Sequence, residues 1–335
     1  MNSYERYRAM LAGEPTDIVP RTPILMAFAA NYIGSNYGAF ASDYRVLVKA
    51  NRRCAEDFGI DQLSAISDPY RETQGFGAKI TFVRDGVPRC ERPPLAEDKD
   101  LGLLAEPDPL QSERMRDRVR AIEAYAAEDK GVRSILGWVE GPAAEAADLR
   151  GVTPFLIDLM TDEAYACALM DRCVEVGIAF ARAQIAAGAD TIGIGDAIAS
   201  QVSPDVYRTC ILPRERRLFA AIQEAGGLVR LHICGDITHL LPDLADTEPD
   251  IIDLDWQVDM AHARQVLGRD RVLAGNLNPV AAVKDATPDA IRDGVRGIYE
   301  AVGNPFLVNA GCEIPPGTPN ENLAALCEPV PYRAG

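Results

Sequence analysis

The stretch Gly227-Leu-Val-Arg-Leu-His-Ile-Cys-Gly235 decides how the chain reads. It is a mostly apolar run bounded by glycines, with polar side chains gathered at its end, as expected of a buried parallel strand with a functional tip. Residues two apart in a strand share a face, so His232 and Cys234 point the same way. A later run, Phe306-Leu-Val-Asn-Ala-Gly-Cys312, ends on a second cysteine. One imidazole and two thiolates at the tips of two strands are what a catalytic zinc site needs: three protein ligands and one open coordination position.

Outward from this run, the chain after about residue 130 alternates short apolar runs with amphipathic stretches, the rhythm of parallel strands joined by crossover helices. The expected strands are Arg133–Val139, Asp190–Asp196, Leu228–Cys234, Ile251–Asp255, Val272–Asn276 and Phe306–Ala310, with helices over Glu163–Ala187, Pro204–Ala225, Ala261–Leu267 and Pro288–Val302. Earlier, Ile18–Leu25 and Gln62–Ile66 read as strands and Tyr44–Phe58 as a helix, while Gly77–Pro94 reads as a hairpin turning at Asp85-Gly86. Eight strands close a barrel, so the expected fold is α/β: a single (β/α)8 TIM barrel over residues 1–335, with an N-terminal extension and a small hairpin insertion. A doubly wound open sheet is the alternative, which strand count and length disfavour.

Of the 335 residues 47% are hydrophobic and 25% charged, enough for a large core. The formal net charge of −16 argues against nucleic acid and anionic membrane as partners, since both demand clustered Lys and Arg. No apolar run is long enough to span a membrane, and the opening Met-Asn-Ser-Tyr-Glu-Arg-Tyr-Arg is no signal peptide, so a cytoplasmic location is expected. Eight cysteines are too sparse for a disulfide scaffold. Cys54, Cys167, Cys173, Cys210 and Cys327 read as small buried hydrophobes in helical segments, and Cys90 falls in a loop-like stretch.

In such a barrel functional groups collect at the C-terminal ends of strands. There the apolar runs give way to Asp68, Glu140, Asp196, His232, Cys234, Asp255, Asn276 and Cys312. Any one of these alone would read as a satisfied buried polar group; their common position is what points to a site. A sulfur-rich zinc centre favours binding an incoming thiol and holding it as a thiolate, whereas water activation uses more nitrogen and oxygen ligands, so thiol alkylation is the expected chemistry. No fourth Cys or His is evident, and Asp253 or Asp255 is the candidate for a displaceable oxygen ligand. His239 and His262 read as surface residues. Glu140 and Glu145 flank the Gly141-Pro142 break. Gly193-Ile-Gly-Asp196 lacks the third glycine of a dinucleotide fingerprint, and nothing resembles a P-loop.

At these residues the chain resembles the uroporphyrinogen decarboxylase superfamily, and within it the corrinoid-dependent thiol methyltransferases typified by methylcobamide:coenzyme M methyltransferases. The matching stretches are Ile66-Ser-Asp-Pro69, Gly137-Trp-Val-Glu-Gly-Pro142, Asp190 to Pro204, His232-Ile-Cys-Gly235, Ala274-Gly-Asn-Leu-Asn-Pro279 and Asn309-Ala-Gly-Cys-Glu-Ile-Pro-Pro-Gly-Thr-Pro-Asn-Glu-Asn322. True decarboxylases carry a pattern like Met-Arg-Gln-Ala-Gly-Arg near the first strand, where this chain has Leu25-Met-Ala-Phe-Ala-Ala-Asn-Tyr32 without arginine. They also carry Gly-His where this chain has Gly311-Cys312, and they lack the His-x-Cys pair. Asp68 does match the decarboxylases' pyrrole-binding aspartate.

The resemblance implies Zn2+ held by His232, Cys234 and Cys312, a corrinoid protein carrying methylcobalamin docked over the mouth, and a small thiol substrate. The implied step is an in-line displacement in which the thiolate takes the methyl group from Co(III), leaving Co(I) and a thioether. Asp196, Glu140 and Asp68 are then the candidate catalytic or substrate-orienting residues, with Asn276 and Asp255 on the cofactor side. Dimerisation is an expectation by analogy. The acceptor thiol and the direction of transfer stay open. So do two other readings: a tetrapyrrole carboxyl-lyase, and a non-catalytic barrel that binds a corrinoid or tetrapyrrole.

Overall fold

The apolar runs form strands in the computed structural model, which describes residues 1–334. In chain order these are β1 (Gln62–Ser64), β2 (Ile80–Thr81), β3 (Arg89–Cys90), β4 (Ser134–Glu140), β5 (Thr191–Gly195), β6 (Leu228–Ile233), β7 (Ile251–Leu254), β8 (Val272–Leu277) and β9 (Phe306–Ala310). Seven of them make one parallel sheet in the order β1-β4-β5-β6-β7-β8-β9, each next to its successor in the chain. β2 and β3 form the expected small antiparallel hairpin. The strands are buried along their length because helices cover the outer face, which is why they read as apolar runs rather than alternating ones.

The expected strand over Ile18–Leu25 does not form. Pro20 and Pro23 have no N–H to give a ladder, and the segment makes only isolated bridges, Ile18 with Pro331 and Arg21 with Val308. Three backbone hydrogen bonds nevertheless span the space between β9 and β1. Thr22 N–H donates to the Val308 carbonyl at 2.8 Å, Val308 N–H to that of Pro20 at 2.8 Å, and Asp61 N–H, just before β1, to that of Arg21 at 2.9 Å. The curled sheet thus has seven strands, and a bridged proline-bearing segment stands where the eighth was expected.

The N-terminal extension is a helix, Ser3–Leu11, started by a capping box between Asn2 and Glu5. It covers the N-terminal end of the sheet: the Tyr7 hydroxyl meets Thr191 Oγ1 of β5 at 2.9 Å, and Arg6 donates to Asp61 at 2.6 Å and Asp17 at 2.7 Å. The C-terminal ends are left to carry the site. Helices Tyr44–Phe58, Glu163–Ala187 and Pro288–Val302 lie where expected. The helix expected over Pro204–Ala225 is divided into Pro204–Val206, a π-turn at Tyr207–Ile211 and Leu212–Glu224, because Pro213 withholds the N–H that an unbroken helix would use. Among the described residues, no helix is long and apolar enough to cross a membrane.

Inside the sheet, below the C-terminal ends, sits a polar layer. Arg230 donates to Asp253 at 2.7 and 3.0 Å and to Gln62 Oε1 at 2.8 Å, and Asn309 donates to the other Asp253 oxygen at 3.0 Å. Arg230 and Asp253 are fully buried, which the guanidinium tolerates only because it is paired and hydrogen-bonded.

Candidate metal centre

Alternation along β6 sends Arg230, His232 and Cys234 inward and Val229, Leu231 and Ile233 outward against the helices. Gly235 then turns the chain at φ +98°, a conformation other residues rarely adopt. Cys312 arrives from β9 through Gly311, where a Cβ would lie 2.3 Å from the Trp256 backbone nitrogen. The two loops therefore meet. Cys234 Sγ stands 3.2 Å from His232 Nε2 and 3.9 Å from Cys312 Sγ. A tetrahedral zinc ion with ordinary bond lengths sets its sulfurs about 3.8 Å apart and a sulfur and a nitrogen about 3.6 Å apart, so the donor set fits zinc. No carboxylate joins this group of three donors.

His232 Nδ1 lies 3.2 Å from the Asp253 carbonyl oxygen, an arrangement that puts the proton on Nδ1 and leaves Nε2 as the donor atom facing the sulfurs. The Asp253 carboxylate is taken up by Arg230 and Asn309, so it is not the displaceable ligand considered from sequence. Asp255 Oδ1 accepts from the Gln257 N–H. Without metal, the three groups share charge. The hydrogen bond from Cys234, helped by His232, draws the Cys312 thiol down to about 4 against its burial. Cys234 is pushed up by that same hydrogen bond and by burial. Burial alone would lower His232, but Cys312 and Asp253 outweigh it and lift the imidazole to about 9.

Over the three donors opens a cavity of about 160 Å³, lined by Ile24, Met26, Ile66, Trp138 and Ala197, with Asp68, Glu140 and Glu313 as its carboxylates. The register explains its position. Glu140 of β4 pairs with Gly195 of β5, and Gly195 pairs with His232 of β6, so a row of inward positions has a gap in the middle. Trp138 also depends on glycines: a Cβ on Gly193 would stand 2.1 Å from its ring, and one on Gly195 3.2 Å. The Gly-x-Gly pair rejected as a nucleotide motif is therefore a bed for this indole.

Of the residues expected from sequence, Asp68 and Glu140 join the metal donors at the cavity. Arg114 clamps Asp68 and, with Arg71, holds its carboxyl below its ordinary value despite burial. Glu140 pairs with buried Arg71, yet burial and the charge of Glu72 leave its carboxyl well above the ordinary value. Glu145 is raised in the same way, and burial together with Glu72 brings Asp148 to about 8.

Asp196 is elsewhere. It is fully buried, and its oxygens accept from the Ala143 and Ala144 N–H groups at 3.3 and 2.7 Å, capping helix Pro142–Arg150. Asn276 donates to the carbonyls of Asp255 and Val258 at 2.9 and 2.7 Å, holding the loop that carries the half-exposed Trp256. Neither Asn276 nor Asp255 lines the cavity. His239 and His262 are exposed.

Trp138, Arg71, Arg114 and Glu313 escaped sequence reading. Glu313 follows Cys312 directly and accepts from the Ala27 N–H at 2.9 Å, a signal the adjacency alone carried. A second group, Glu163, Cys167 and Cys210, lies on the outer helices, where Arg214 donates to both cysteine carbonyls and sets a cation beside it.

Comparison with known proteins agrees with this geometry. The chain is 27% identical over 329 residues to the methylcobamide:CoM methyltransferase MtaA of Methanosarcina barkeri, covering 96% of this chain and 95% of that one. It is also 28% identical over 331 residues to a uroporphyrinogen decarboxylase of Carboxydothermus hydrogenoformans, covering 93% and 92%. A solved methyltransferase from Methanosarcina mazei superposes with a TM-score of 0.89 at 25% identity, covering 97% of each chain. Residues 2–331 match the family described as uroporphyrinogen decarboxylase (URO-D), and with the parallel sheet and the groups at its C-terminal ends this establishes that the chain belongs to that family.

Proposed function

We propose that this protein is a methyltransferase that moves a methyl group between a corrinoid and a small thiol, with Zn2+ held by His232, Cys234 and Cys312. The observation that carries the reading is the donor set itself: one nitrogen and two sulfurs at tetrahedral spacing, opening into a cavity with no fourth protein ligand among the three grouped donors. Bound zinc would lower the pKa of an incoming thiol and hold it as thiolate near neutral pH. The reading treats residues 1–335 as one domain and the sheet as a closed (β/α)8 barrel with Pro20–Thr22 in the eighth position.

The protein's own residues supply the rest. Asp253 orients His232 through its backbone carbonyl. Trp138, Ile24 and Ile66 give the thiol an apolar wall that keeps water out, and Asp68 and Glu140 flank it. A cavity of about 160 Å³ is below the range of drug-sized ligand sites, so the corrin stays outside and only its methyl group reaches in. Trp256, 47% exposed beside the Cys312 loop, offers the docking corrinoid protein an apolar platform. Transfer to the acceptor forms one S–C bond and breaks one Co–C bond, whose electron pair stays on cobalt. The barrel's contribution is alignment of the two centres.

The relatives support methyl transfer over tetrapyrrole decarboxylation in proportion to the residues shared with each. Cys312 replaces the histidine of the decarboxylase pattern, and the cavity wall carries no arginine. The test is anaerobic incubation of the zinc-loaded protein with methylcobalamin and small thiols, followed as thioether formation and the spectrum of demethylated cobalamin. Turnover that falls to background in Cys312→Ala supports the proposal. Formation of coproporphyrinogen from uroporphyrinogen, with no thioether from any thiol, overturns it.

A further inference from the structure

We infer that the acceptor carries no anionic group: the cavity admits a neutral or cationic small thiol and excludes a sulfonate or carboxylate one. The inference rests on the thiol reading of the site and narrows it. Asp68, Glu140 and Glu313 line the cavity together with apolar side chains, and no Lys or Arg is among the described lining residues. The nearest guanidinium groups stand behind this wall and are already engaged. Arg114 is held by Asp68, and Arg71 is shared between Glu140 and Glu72. Behind Glu140, Glu145 and Asp148 add two more carboxyl groups to the Arg71 neighbourhood, and their raised pKa values, with that of Glu140, show that the two cations do not offset the acids around them.

A two-carbon thiol bound through sulfur at the metal donors places its far end inside this lined space. A negative far end would meet carboxylates with no donor to satisfy it, a repulsive element that discriminates between otherwise similar thiols. A hydroxyl can donate to Glu140 or Asp68, and an ammonium group can pair with them.

The test uses the full chain loaded with Co(II) in place of zinc, so that thiol binding is read from the sulfur-to-cobalt charge-transfer band and not from turnover. Three thiols share one two-carbon frame: 2-mercaptoethanol, 2-aminoethanethiol and 2-mercaptoethanesulfonate. After correction for each thiol's own ionisation, the neutral and cationic compounds should bind about tenfold or more tighter than the sulfonate. Glu140→Gln should narrow that gap without moving the band of the thiol-free protein. Sulfonate binding as tight as the other two overturns the inference and leaves the thiol site standing. A band unmoved by all three thiols overturns the thiol reading and this inference with it.

Discussion

Glu140 and His232 face the same interior space from strands two apart, with Gly195 in register between them. Adjacent strands lie about 4.8 Å apart, so the two backbones are roughly 10 Å from each other and the missing side chain leaves room for a small molecule. The cavity, the indole of Trp138 and the exposed face of the metal donors all follow from that one gap.

Filling the gap should separate packing from binding. In Gly193→Ala the new methyl collides with the Trp138 ring, and overpacking of this kind should cost about 1–3 kcal/mol of stability and shift the tryptophan emission. Gly195→Ala brings only the tighter 3.2–3.4 Å contacts with Trp138 and Glu140, so it should keep its melting temperature within a few degrees while thiol affinity drops. Equal losses of stability in both variants would contradict this assignment.

Asp253 links the metal site to the barrel interior through His232 and Arg230. Asp253→Ala leaves the Arg230 charge buried without a partner and should cost about 3–5 kcal/mol, read by chemical denaturation. Asp253→Asn keeps the backbone carbonyl that orients His232, so its zinc affinity should fall by no more than about 10–100-fold. An Asp253→Ala protein as stable as the wild type would show that Arg230 reaches water or another acid.

Stability should fall as pH rises from about 4 to 8. Burial, against the Ala144 and Ala143 N–H groups, raises Asp196 to about 7, and burial with Glu72 raises Asp148 to about 8. Between an acid's ordinary value near 4 and its raised folded value, the folded protein holds a proton that the unfolded chain has released, so each unit of pH favours unfolding. For fully buried Asp196 the effect is on the order of a few kcal/mol. The melting temperature should therefore be higher at pH 5.5 than at pH 8, and Asp196→Asn, which can still accept from Ala144, should flatten the dependence. A melting temperature that climbs toward pH 8 would refute the buried-acid account.

Much of this was legible in the sequence where one strand or helix carries the signal by itself. β4 to β9 read as apolar runs because both their faces are buried, and His232 and Cys234 read as a pair because alternation alone puts them together. Ile18–Leu25 misled because its hydrophobicity suits a strand while Pro20 and Pro23 deny it the hydrogen bonds. Asp196 stood out at a strand end, but which N–H groups it meets depends on the neighbouring strand's helix, which spacing does not show. Trp138 and Arg71 were hidden for the same reason: one needs glycines on β5 and the other acids from several segments. Cys312 lies 78 residues from Cys234, and only the strand order brings them to 3.9 Å.

The account turns on whether His232, Cys234 and Cys312 hold a zinc ion with an exchangeable position. The direct measurement is metal content of the anaerobically purified protein together with its zinc-edge absorption spectrum, with and without 2-mercaptoethanol. One zinc per chain is expected, with two sulfur neighbours that become three when the thiol is added, and loss of the metal in Cys312→Ala. A protein that binds no zinc, or one whose zinc keeps the same neighbours with the thiol present, would contradict the account.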